Sequence, residues 1–142
     1  MRHFFLSVIS ALFLNSSVIA EEFEKGFAAY KNGDYETAWD FWSPLADQGD
    51  GRAQKNLGFM YEHGKGVPKN HQEAIRWYTL AAQQGNPKAQ TRLGIMYTSG
   101  RGVLKDQEKA IKWYKLAAEQ GFSGAQKNLG FMYEHGKGVP KN

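Results

Sequence analysis

Cysteine is absent from the 142 residues, so neither a disulfide framework nor a thiolate metal site is available. The longest apolar run, Phe4 to Leu14, has eleven residues, well short of the ~20 that a membrane-spanning helix needs. Catalytic signatures are missing too. The string HGKGVPK lacks the G-x-x-x-x-G-K-[ST] spacing of a phosphate loop and does not join a strand to a helix. EHGKG contains no metalloprotease motif, and Ser43, Ser99 and Ser123 have no histidine and acid at a suggestive spacing. His63 and His135 hold equivalent places two repeats apart, and no third ligand joins His63 to His71. These absences argue for a protein that is not an enzyme and uses no metal or cofactor.

What is present is a globular composition: 42% hydrophobic, 14% aromatic and 23% charged residues, too apolar for a disordered chain. The first twenty residues stand apart. A basic Met1-Arg2-His3 precedes the apolar run, polar Asn15-Ser16-Ser17 follows, and Val18-Ile19-Ala20 places small residues where a signal peptidase reads. This pattern predicts a signal peptide over residues 1–20 and a mature chain that begins near Glu21 and is exported. No cysteine follows the run to carry a lipid anchor, and no transmembrane segment is expected in the mature chain. Residues 21–50 carry eight acids against two lysines, a net of −6, and residues 51–142 carry fifteen Lys and Arg against six acids, a net of +9. An acidic front therefore precedes a basic body.

The stretch AQKNLGFMYEHGKGVPKN occurs at Ala53 to Asn70 and again, letter for letter, at Ala125 to Asn142. Midway lies AQTRLGIMYTSGRGVLKD, Ala89 to Asp106, so the period is 36 residues. A period of this size marks a stacked array rather than a globule around one centre. The units are 51–86, 87–122 and a partial 123–142 with only a first helix and its loop. Residues 21–50 form a degenerate opening unit, in which Asp34, Ala38, Trp42, Ala46 and Gly49 align with Asn70, Ala74, Tyr78, Ala82 and Gly85. Its connection is shorter, with eight residues from Tyr30 to Ala38 against thirteen from Tyr61 to Ala74.

Each unit reads as two helices. Ala53, Leu57, Met60 and Gly64 share one face of the first. GKGVPKN breaks it, because its glycines allow left-handed turns and Pro68 cannot continue a helix. Asn70 caps the second, which carries Ala74, Trp77, Tyr78 and Ala81 on one face. The repeat core is thus predicted to contain Leu57, Gly58, Met60, Tyr61, Ala74, Trp77, Tyr78 and Ala81. In the next unit the same places hold Leu93, Gly94, Met96, Tyr97, Ala110, Trp113, Tyr114 and Ala117. A mid-helix glycine costs about 1 kcal/mol relative to alanine, so its return at 58, 94 and 130 argues for close helix packing there.

The pattern A-x-x-x-L-G-x-M-Y, then G-x-G-V, then A-x-x-W-Y-x-x-A-A-x-x-G resembles the Sel-one-like repeat, a relative of the tetratricopeptide repeat. The resemblance implies an all-α fold: an α/α superhelical solenoid of antiparallel helix pairs that acts as an adaptor and binds proteins or peptides in its concave groove. Exported bacterial members are implicated in envelope functions and host interaction. A cysteine-rich subset is linked to β-lactam chemistry, but its cysteines are absent here. The last unit lacks the second helix that would cover its apolar face. Two readings stay open, a fragment of a longer array and an open end that pairs with another subunit.

First helices line the concave side in related arrays, which directs attention to a second stripe on them. It comprises Arg52, Asn56, Phe59 and His63 in one unit, Lys88, Arg92, Ile95 and Ser99 in the next, and Asn128, Phe131 and His135 in the last. An apolar row Phe59, Ile95 and Phe131 flanked by polar groups suits an extended peptide. The expected partner is a protein or peptide and not nucleic acid. The competing functions are an enzyme-associated role in peptidoglycan or β-lactam metabolism, and a module that assembles with its own copies.

Overall fold

The computed structural model describes residues 15–139. These form seven α-helices: α1 Ser16–Lys31, α2 Tyr35–Asp47, α3 Gly51–His63, α4 His71–Gln83, α5 Pro87–Ser99, α6 Gln107–Glu119 and α7 Ser123–Glu134. Each helix packs on its sequence neighbours in order, α1 on α2, α2 on α3 and so on to α7. Residues 1–14 of the expected signal peptide lie outside the described residues. Residues 16–20 form the first turns of α1, where Ile19 rests on the first core cluster.

The boundaries follow local chemistry. Side-chain oxygens of Asp34, Asp50, Asn70, Asn86 and Asp106 accept backbone N–H groups at the starts of α2 to α6, which satisfies donors the helix cannot pair itself. At the start of α7 the position falls to Phe122, which offers no such bond. Helices α3 and α5 end at Gly64 (φ 65°) and Gly100 (φ 70°), in the left-handed region that suits glycine.

There is no single centre. Three apolar clusters succeed one another along the array, around Trp42 and Leu57, around Tyr78 and Leu93, and around Tyr114 and Ala125, as expected where each repeat touches only its neighbours. Leu57, Met60, Ala74, Tyr78, Ala81, Leu93, Met96, Ala110 and Ala117 are fully buried, and Trp77 and Tyr114 nearly so. Gly58 and Gly94 are buried, whereas Tyr61, Tyr97 and Trp113 are half-buried at the edges of the clusters. The two aromatics of each Trp-Tyr pair act differently. Tyr78 and Tyr114 press on Gly58 and Gly94 of their own units, while Trp77 and Trp113 pack on the cluster shared by the second helix of the unit before and the first helix of their own.

Two further columns hold the units in register. Gln54 and Gln90 are buried, and each Nε2 donates 3.1 Å back to a carbonyl of the preceding helix, Ala46 and Ala82. Their Oε1 atoms accept from Gln84 and Gln120, thirty residues on, at 2.8 and 3.0 Å. In the loops, Gly66, Gly102 and Gly138 lie against Tyr35, His71 and Gln107, the first residues of α2, α4 and α6. That contact explains why the second glycine of G-x-G-V recurs: a Cβ on Gly102 would stand 2.6 Å from the His71 carbonyl oxygen.

Candidate functional site

The first helices α1, α3, α5 and α7 share a face indented by a series of hollows. The most apolar, about 200 Å³, is enclosed by Phe27, Tyr30, Trp42, Lys55, Asn56 and Phe59. Beside it a larger hollow of about 530 Å³ runs from Lys55 and Phe59 past Lys88, Arg92 and Ile95 to Lys127 and Asn128. A third, of about 370 Å³, continues along Ile95, Ser99, Asn128 and Phe131. A fourth, of about 400 Å³, flanks the first on the side of Glu24 and Arg52.

Nine of the eleven residues of the expected stripe, Arg52, Asn56, Phe59, Lys88, Arg92, Ile95, Ser99, Asn128 and Phe131, line these hollows, and His135 does not. His63 lies beyond them, its ring 4.2 Å from that of Phe59. Phe59 and Ile95 are half-buried, each leaning on a core cluster while its other side opens to the groove. Phe131 is half exposed. Phe59 and Ile95 therefore have a packed side and a free side, while Phe131 stacks on His135 at 4.0 Å between ring centroids.

Beneath Phe59 sits a carboxylate that the sequence did not single out. Glu62 is 3% exposed and accepts a 2.6 Å hydrogen bond from the Tyr78 hydroxyl. Arg92 Nη1 and His63 Nε2 each approach it to 3.7 Å. Burial, then the negative charge of Glu62 and its bond, push the Tyr78 hydroxyl far above its ordinary value. Burial pulls His63 down, helped by Arg92, Lys69 and Lys65 and opposed by Glu62. Arg92 is held between Glu62 and the Phe59 ring, 5.6 Å from its centroid. In the next unit the place of Glu62 falls to Thr98, whose hydroxyl donates to the Ile95 carbonyl at 2.7 Å.

Lys55 is the other residue missed. It borders three of the four hollows. Burial and the neighbouring Lys88 lower its ammonium to about 8. Its signal was present, because positions 52, 55 and 59 share a helical face as well as 52, 56 and 59 do. Among the described residues no group of three His, Asp or Glu side chains is placed to hold a metal ion. No described helix is long and apolar enough to cross a membrane.

The sequence matches the Sel1 repeat over residues 19–50, 51–86, 87–122 and 123–142. The chain belongs to the Sel1 repeat family, whose members are in general protein–protein interaction modules. Its fold is similar to that of a Sel1 repeat protein from Oxalobacter formigenes, with a TM-score of 0.81 and 38% identity over 84% of this chain and 49% of that one. It is also similar to a protective antigen of uropathogenic Escherichia coli with the same repeat fold, with a TM-score of 0.82 and 37% identity over 89% of this chain and 28% of that one. The cysteine rich protein B of Helicobacter pylori shares the fold at a TM-score of 0.63 and 20% identity, over 82% of this chain and 98% of that one. Among curated proteins, the DAP3-binding cell death enhancer 1 of Rattus norvegicus and that of Mus musculus are each 39% identical over 67 residues, 47% of this chain. The match spans 13% of the length of those relatives.

Proposed function

We propose that this chain is a non-catalytic adaptor of the bacterial envelope or secreted fraction, which holds a protein or peptide partner in the groove of its first helices. The observation that carries the reading is the placing of Phe59, Ile95 and Phe131. Three apolar groups one repeat apart each present a free side to a continuous line of hollows. Polar groups beside them, Asn56, Ser99 and Asn128, can hold the backbone of an extended segment. Exported location rests on the basic, apolar and small-residue order of residues 1–20. The likeness to a protective antigen of a uropathogen supports it.

Partner capture tests the function. The chain is used as bait on an exported fraction, against a Phe59→Ser/Ile95→Ser variant. The variant is expected to lose the captured partner while its melting temperature falls less than that of Leu57→Ala. Unchanged capture would remove the groove from the account. Edman sequencing of the exported chain tests the location and is expected to begin at Glu21.

A further inference from the structure

The groove carries a charge pattern that names the class of its occupant. Lys55, Lys88, Arg92 and Lys127 line the 530 Å³ hollow, and no carboxylate lines it with them. The four come from three helices, α3, α5 and α7, so the fold gathers them although the sequence spreads them over 73 positions, 55 to 127. Glu62 is buried below the surface, bonded to Tyr78 and 3.7 Å from Arg92, and Glu24 of α1 borders the adjoining hollow with Lys55, Lys88 and Arg52. Among the described residues, no carboxylate oxygen lies within 4 Å of the amines of Lys55, Lys88 or Lys127. Lys55 and Arg92 are half-buried and Lys88 and Lys127 exposed, and like charges lining one hollow favour an anionic ligand. Lys55 feels this already, since burial and Lys88 both oppose its charge.

The neighbouring hollow selects among anions. Its lining of Phe27, Tyr30, Trp42 and Phe59 is apolar, and its volume is about 200 Å³. A cavity of ~150 Å³ with such walls takes a benzene ring, so one large apolar side chain fits. Lys55 borders both hollows, which puts an apolar anchor and a cationic floor side by side.

We propose that the groove takes an extended acidic segment of a partner protein, with carboxylates on Lys55, Lys88, Arg92 and Lys127 and a bulky apolar residue beside them in the hollow of Phe27, Tyr30, Trp42 and Phe59. This rests on the groove reading above and adds the chemistry of its ligand. The residues that set specificity are the lysines; the aromatic row sets where the chain lies.

Fluorescence anisotropy with labelled synthetic peptides tests it. One peptide has a Trp followed by four Glu, a second replaces the Glu with Gln, a third with Lys, and a ten-nucleotide oligo(dT) competes. At 150 mM salt the Glu peptide is expected to bind at least tenfold more tightly than the Gln peptide, and the Lys peptide not at all. Lys55→Gln/Lys88→Gln is expected to weaken the Glu peptide tenfold or more and leave the Gln peptide unchanged. Lys112→Gln, on α6 and outside the hollows, is expected to change nothing. Equal affinity for Glu and Gln peptides, with both lost in Phe59→Ser/Ile95→Ser, would overturn acidic selection and leave the groove reading intact. Binding insensitive to every groove variant would overturn both. Oligo(dT) binding more tightly than the Glu peptide, or no binding by any probe, would overturn the proposal, while partner capture would still judge the groove.

Discussion

Gly58 yields the space of a side chain to Tyr78: a Cβ there would stand 2.6 Å from Cδ1 of the tyrosine ring. Gly94 stands to Tyr114 as Gly58 does to Tyr78, and Gly26 likewise receives the Trp42 ring, whose Nε1 donates to the Phe23 carbonyl at 3.1 Å. At the fourth member of the column, Gly130, no described atom of another element comes within 4 Å. One residue type thus serves a close contact at three places and meets open space at a fourth.

Alanine at each position separates these cases. Gly58→Ala and Gly94→Ala force a buried ring aside and are expected to destabilise by about 1–3 kcal/mol. Gly130→Ala removes only the backbone freedom of glycine and is expected to stabilise by up to ~1 kcal/mol. Urea midpoints of the three variants check the opposite signs.

Tyr78→Phe leaves the buried Glu62 carboxylate without its hydroxyl donor. The expected loss is about 1–3 kcal/mol. Tyr114→Phe strands no carboxylate, because the place of Glu62 is held there by Thr98, and is expected to cost less, about 0.5–1.5 kcal/mol. Chemical denaturation at pH 7 ranks the two, and equal losses would count against a charged role for Glu62.

The glutamine column predicts a similar contrast. Gln90→Ala removes a bond to the Ala82 carbonyl and the acceptor of Gln120, at about 1 kcal/mol each. Gln126 holds the equivalent place with an exposed side chain bonded to Ala118. Gln126→Ala is expected to stay within ~0.5 kcal/mol. Thermal melts of the two variants side by side provide the measurement.

Lys55 gives the chain an alkaline signature. Its ammonium, at about 8 when folded, returns to 10.5 in the unfolded chain. Between those values the unfolded state binds the extra proton, so stability rises with pH across that window. Tyr30, Tyr61, Tyr78 and Tyr114 are all raised above 10 by burial and act in the opposite sense beyond it. The clean window is therefore pH 8 to 10, and Lys55→Gln is expected to lose the rise there. The titratable groups that share hollows with Lys55 are Glu24 and Tyr30 of α1, Arg52 of its own helix, Tyr78 of α4, Lys88 and Arg92 of α5, and Lys127 of α7. A carboxylate ligand needs Lys55 charged, so affinity for the Glu peptide is expected to fall above pH 8. Denaturation and anisotropy series over pH 7 to 10 measure both effects.

The array itself was legible, because eighteen identical letters return at twice the period of 36 and each unit carries its own caps and breakers. Gly26 was hidden by the opening unit. Counting back 36 from Gly58 lands on Glu22, but α1 and α2 are joined by three residues, 32–34, where α3 and α4 are joined by seven, 64–70. That difference of four moves the glycine to 26. Nothing in the sequence singles out Glu62, and only the arrival of Tyr78 from α4 and Arg92 from α5 gives it partners. The same letter at Glu134 is exposed. Burial by a neighbouring repeat is a property of the stack, which spacing within one helix does not encode. The cationic floor was legible only in part: Lys55 and Lys127 hold the same place two repeats apart, with Thr91 between them, while Lys88 comes from another place and joins them only in the stack.

The face that binds is tested most directly by two double variants matched in chemistry. Leu80 and Leu116 lie one repeat apart on α4 and α6, outside the hollows, and are 37% and 45% exposed. Capture of one partner is compared between Phe59→Ser/Ile95→Ser and Leu80→Ser/Leu116→Ser, at a temperature where both remain folded by circular dichroism. Loss of capture in the first pair with retention in the second is the result expected here. Retention in the first pair with loss in the second would place recognition on the second helices and contradict it.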